Sequence, residues 1–179
     1  AALPLCSQLQ AFGLGGGAVG EILGGGRIGD GGAGVLASAF LRCDRLCRLD
    51  LSENQIGDGG TAQLAAAIPH CGRLAELDLC RNRIADGGAG KLAEAVPRCG
   101  RLHWLRLLGN PLGVGGEQRL KEAWRAAGKP KGRLLCRGER DDLGGGVGFW
   151  GGGLAVAPEL GGHDSNRDSD EICPYRTKL

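Results

Sequence analysis

The stretch "LCRLDLSENQIGDGGTAQLAAAIPHCGR" at residues 46–73 is followed directly by "LAELDLCRNRIADGGAGKLAEAVPRCGR" at 74–101. A more divergent copy, "LHWLRLLGNPLGVGGEQRLKEAWRAAGK", fills 102–129. Each unit is 28 residues, and Asn54, Asn82 and Asn110 keep register, as do Ile56, Ile84 and Leu112. Upstream, "RIGDGGAGVLASAFLRCDR" at 27–45 supplies the second half of an earlier unit, with Ile28, Asp30 and Leu36 in phase. A repeat of this length is the mark of a stacked architecture.

Each unit decomposes physically. Leu49 and Leu51 alternate with Arg48, Asp50 and Ser52, the period of a short strand with one buried face. Asn at 54, 82 and 110 turns the chain while its amide satisfies backbone groups inside the turn. Asp58 and Asp86 stand where a helix N-cap belongs, ahead of a Gly-Gly pair. Leu64 with Ile68, and Leu92 with Val96, then give helical spacing, and Pro69 and Pro97 mark the helix ends. One strand, one turn and one helix cannot bury their own apolar faces, but stacked copies can. The expected fold class is therefore α/β, a solenoid with short parallel strands on a concave face and helices on a convex one.

A second reading of "LDLSENQIGDGG" at 49–60 is a calcium loop, since Asp50, Ser52, Asn54 and Asp58 occupy its first, third, fifth and ninth positions. It fails where such a loop is most demanding, because Gln55 replaces the turn glycine and Thr61 the bidentate glutamate. No metal is assigned, and no cofactor.

The pattern L-x-x-L-x-L-x-x-N-x-I/L with a helical second half resembles the leucine-rich repeat of the ribonuclease-inhibitor subtype. The phrases "LDLSENQIGDGG" and "LRLLGNPLG" are similar to those in the C-terminal arrays of NOD-like receptors, the CARD-containing group in particular. The resemblance covers residues 27–129. It implies a leucine-rich-repeat solenoid acting as a non-catalytic protein-binding module in innate immune signalling. Two other readings share the repeat: a GTPase-activating protein of the Ran type, and a ribonuclease-inhibitor-like scaffold.

Composition narrows the classes. The net charge is +2, from 22 basic and 20 acidic residues interspersed along the chain, so no one-sided basic field for nucleic acid exists. No apolar run is long enough for a membrane span, and the first residues lack the pattern of a signal peptide. The missing initiator Met points to a piece of a longer protein or a processed chain. Cys43, Cys71 and Cys99 recur just before each strand-opening Leu, which reads as a small buried residue at the helix-to-strand corner. A solenoid needs no disulfide staple and nothing marks the chain as secreted, so the expectation is a reducing compartment, the cytoplasm, with the nucleus as alternative. "GGGAVG" at 15–20 and "GGAGKL" at 87–92 imitate phosphate loops, but the first lies in a glycine-saturated tract and Lys91 falls on a helix surface. His70, His103 and His163 have no nucleophile motif around them, and the expectation is that the chain is not an enzyme.

Binding is expected on the residues between the core leucines: Arg48, Asp50 and Ser52, then Glu76, Asp78 and Cys80, then Trp104, Arg106 and Leu108. A protein partner engaging this concave stripe would find it acidic in the middle and apolar-basic at the end. Asp50 and Asp78 should lie roughly 5 Å apart on adjacent strands, exposed, with Arg48, Arg81 and Arg106 to offset them. Trp104 is the natural anchor, because Trp and Arg dominate binding hot spots. Its competing reading is that the C-terminal segment folds over it or that it closes the array. Trp124, in phase with Ile68 and Val96, belongs to the core.

The ends break the pattern. Residues 1–26 read as a degenerate, truncated repeat, in which "LQAFGLGGGAV" has the L-x-x-F-x-L spacing without its helical half. Residues 27–136 form the array, with "GRLLC" at 132–136 as a last strand. Residues 137–179 read as a Gly-rich, disordered tail.

Overall fold

A computed structural model describes residues 11–15 and 27–136. The expectations for 1–10, 16–26 and the tail 137–179 lie outside the described residues. Five strands, β1 (Ala11–Gly13), β2 (Arg48–Asp50), β3 (Glu76–Asp78), β4 (Trp104–Arg106) and β5 (Leu134–Leu135), form one parallel sheet in chain order. Among the described residues four helices intervene, α1 (Asp30–Phe40), α2 (Asp58–Ala67), α3 (Asp86–Ala95) and α4 (Val114–Ala126), each packed on the next. Short 3₁₀ turns at Ile68–His70 and Val96–Arg98 follow α2 and α3, and each contains the proline read as the helix end.

The core lies between sheet and helices. Leu49, Leu77 and Leu105 point into it from the strands, and Leu64, Leu92 and Leu120 meet them from the helices, all at most 2% exposed. Burying one such leucine is worth ~1.5–3 kcal/mol, so these six side chains are a large part of what holds the layers together. Cys43, Cys71 and Cys99 are buried at the helix-to-strand corners. Trp124 is buried too, and its indole N–H donates to the Pro130 carbonyl at 2.9 Å. Beside it, Lys129 donates from Nζ to the carbonyls of Cys99 and Leu102, both at 2.6 Å.

Two polar ladders join the units. Each Asn is the first. Asn82 accepts the Ile56 N–H at 3.0 Å and donates to the carbonyls of Leu51, Leu79 and Cys80 at 2.8, 3.1 and 3.2 Å. Asn54 and Asn110 repeat the arrangement with Ile28 and Ile84. The amide thus stitches one unit to its predecessor as well as turning its own loop. The residue before each Asn is left-handed: Glu53 at φ 57°, Arg81 at φ 53° and Gly109 at φ 73°. Arg81 and Glu53 meet there in an ion pair at 2.8 Å.

The second ladder corrects the helix-cap assignment. Asp58 and Asp86 are not N-caps. The caps are Gly57 and Ala85, without side-chain bonds, and each Asp is the first helical residue. Its carboxylate reaches forward one unit instead: Asp30 accepts the Gly57 N–H at 2.6 Å, Asp58 that of Ala85 at 2.8 Å and Asp86 that of Gly113 at 2.6 Å. A first-turn carboxylate still suits the positive end of the helix. This ladder also explains the Gly pairs, since a Cβ on Gly60 would stand 2.9 Å from the Asp30 Cα and one on Gly88 2.8 Å from the Asp58 carboxylate. The helices approach too closely there for any side chain.

The first unit is longer than the others. Ala11 pairs with Arg48, 37 positions on, whereas Arg48 pairs with Glu76 and Glu76 with Trp104, 28 positions on in each case. The strand read as part of a truncated repeat therefore stands in the same sheet as the array, beside β2. Phe12 of β1 packs edge-on against Phe40 of α1, with ring centroids 5.8 Å apart.

Candidate functional site

Alternation along each strand turns one residue of every pair away from the helices. Arg48, Glu76, Trp104 and Arg133 form one row across this helix-free face, and Asp50, Asp78 and Arg106 a second. Six of them, Arg48, Asp50, Glu76, Asp78, Trp104 and Arg106, line a shallow hollow of about 50 Å³. The structure therefore brings the six central residues of the expected stripe together. Ser52, Cys80 and Leu108 continue it beyond the strand ends, half-buried.

Three details differ from expectation. Asp50, though on the helix-free face, is only 3% exposed, and its carboxylate accepts the Ser52 N–H at 2.9 Å. Asp78 does the same for Cys80 at 2.9 Å, so both aspartates serve the turn that follows their strand. Of the arginines expected to offset them, Arg106 does lie 3.5 Å from Asp78, whereas Arg48 meets Glu76 at 2.7 Å and Arg81 meets Glu53. The oxygens of the apparent calcium loop are likewise committed, with Asp50 on Ser52, Asn54 on Ile28 and Asp58 on Ala85.

Burial holds the Asp78 carboxyl above its ordinary range, and the Asp50 charge adds to this; the Cys80 hydrogen bonds and the Arg106 guanidinium pull the other way. The Cys80 thiol is pushed up strongly by burial and by Asp78 beside it, which removes it as a nucleophile near neutral pH.

Trp104 is half-buried at the β4 position of the first row. The Arg106 guanidinium carbon is 4.8 Å from its ring centroid and that of Arg133 4.5 Å. Such stacking contributes ~0.5–1 kcal/mol per cation at exposed sites. The indole N–H is buried and has no acceptor among the described residues. Trp104 stands on the helix-free face, and the segment after the last unit lays Arg133 over its ring. Sequence reasoning missed Arg133. Its signal was present in "GRLLC": Arg133 precedes Leu134 as Arg48 precedes Leu49. The last step is one residue longer, however, Leu105 pairing with Leu134, so a strict 28-residue period passes over it.

No family model and no curated protein matches the chain. Among solved structures it is similar in fold to leiomodin-1 actin-binding site 2, with TM-score 0.56 at 14% identity, covering 75% of this chain and 72% of that one. An internalin from Listeria monocytogenes strain 4b F2365 aligns at 14% identity and TM-score 0.32, over 57% of this chain and 31% of its own, too little to argue from. Identity this low speaks to the path of the backbone alone. No helix among the described residues is long and apolar enough to cross a membrane.

Proposed function

We propose that the chain is a leucine-rich-repeat solenoid that serves as a non-catalytic protein-docking module, and that the helix-free sheet face is its binding surface. The observation that carries this reading is Trp104, half-buried beside a hollow in that face, with Arg106 and Arg133 against its ring. A large aromatic and two guanidiniums gathered at one point of an otherwise regular surface are the composition of an interface anchor. The repeat accounts for the leucines, asparagines and helix-leading aspartates, and it demands nothing of the kind at 104. The phrases "LDLSENQIGDGG" and "LRLLGNPLG" further support placing the module among arrays of the NOD-like receptor type, as a sensing or autoinhibitory element of innate immune signalling. The test compares the proteins retained by the wild-type chain with those retained by Trp104→Ala and Arg106→Ala, with Lys91→Ala on the helix side as control. Partners lost from the two face variants and kept by the control are the expected result. Face variants that retain everything would overturn the assignment.

A further inference from the structure

Resting on that reading of the face, we infer that its Trp104 end takes an acidic protein segment, with a carboxylate side chain on Arg133 and a neighbouring apolar side chain in the hollow beside Trp104. The charges on the face decide this. Arg48 is matched by Glu76 at 2.7 Å, and Arg106 faces Asp78 at 3.5 Å. Asp50 is buried against the Ser52 N–H. Arg133 is exposed and has no carboxylate within 4 Å among the described residues, so although the arginines and carboxylates of the face balance overall, with Asp50 the buried one, its β5 side is locally positive. Stacking on Trp104 pre-orients that guanidinium, which lowers the entropy lost when it forms a bidentate pair with a carboxylate.

The surroundings limit the length and nature of the ligand. The row continues from Trp104 to Glu76 on the neighbouring strand, and Asp78 lies in the second row beside Arg106. A phosphate chain stacked on Trp104 would have to run across these carboxylates, so single-stranded nucleic acid is disfavoured although it shares a taste for Trp and Arg. A peptide escapes the conflict by alternating: one acidic residue at Arg133, one apolar residue over the hollow.

Fluorescence anisotropy of the full chain with three labelled probes tests this: the peptide GLELEG, its neutral counterpart GLQLQG, and a uridine hexamer. The acidic peptide should bind about tenfold tighter than the neutral one in low salt, and the difference should shrink as salt rises. Arg133→Gln should erase the difference, while Arg98→Gln, an exposed arginine after α3, should leave it intact. Equal binding of both peptides, or binding of the hexamer alone, overturns the inference. If the neutral peptide binds and Trp104→Phe weakens it, the docking face stands and only the preference for acid falls. If neither Trp104→Phe nor Arg133→Gln affects any probe, the reading of the face itself is wrong.

Discussion

Replacing Asn82 by Ala tests the ladder that joins the units. Asn82 is 6% exposed, so water cannot readily stand in for its amide. Four backbone groups lose a partner, but they are not equally harmed. The Leu51 carbonyl keeps the Asn54 amide at 3.1 Å, the Leu79 carbonyl keeps that of Asn110 at 2.8 Å, and the Cys80 carbonyl keeps the Glu53 N–H at 2.8 Å. Only the Ile56 N–H loses the acceptor the structure gives it. An orphaned buried donor costs ~1–3 kcal/mol, and three weakened acceptors add roughly 1 more, giving about 2–4 kcal/mol in all. Against a typical total of about 5–15 kcal/mol this is a large share. Urea unfolding followed by circular dichroism should show the midpoint falling with the slope unchanged. Asn82→Asp sharpens the reasoning. It keeps the acceptor for Ile56 but turns a carboxylate toward three carbonyl oxygens, which raises its folded-state pKa above the unfolded value. That variant should be as unstable as the alanine at neutral pH and recover as pH falls toward the raised pKa. A loss under about 1 kcal/mol for Asn82→Ala, or no pH-dependent recovery for the aspartate, would refute the account.

Gly60→Ala should destabilise by about 1–3 kcal/mol because its Cβ meets the Asp30 backbone, whereas Gly72→Ala, with open space around it, should change stability by less than about 0.5 kcal/mol. Thermal melts of the two separate close packing from simple loss of glycine. Asp78→Asn should stabilise the chain at pH 7: the folded pKa is raised, so ionisation opposes folding, and the advantage of the amide should begin to shrink as pH falls through the folded pKa and be gone below the unfolded one. Denaturant midpoints at a series of pH values report this, and a constant advantage would count against it. Cys71, buried with its thiol pushed up to about 11, should resist iodoacetamide at pH 7.5 in the native chain and react promptly in urea, as read by mass spectrometry.

Strands, core leucines, corner cysteines and turn asparagines were all legible in the sequence, because each is fixed by contacts that recur at a constant period. What escaped has a common cause in contacts between units that no local spacing displays. Asp58 has the look of an N-cap until its partner is seen to be the N–H of Ala85, in the next unit. Asp50 looks outward by alternation, yet its own strand end folds the Ser52 N–H onto it. The step between strands stretches to 37 residues at one edge of the sheet and 29 at the other; β1 was still visible by its L-x-x-F-x-L spacing, but a fixed period passes over Arg133.

The reach of the two ladders has a consequence for how such a chain can change. Asn82 bonds to Ile56 and Leu51, and Asp58 to Ala85; every one of these links ends in the adjoining unit. Removing residues 74–101 would therefore present Asn110 to Ile56 and Asp58 to Gly113, groups of the same kind in the same order. A deletion of half that size would mismatch both ladders at once. The sheet can thus be lengthened or shortened by duplication or deletion of whole units while the remaining joints stay as they were.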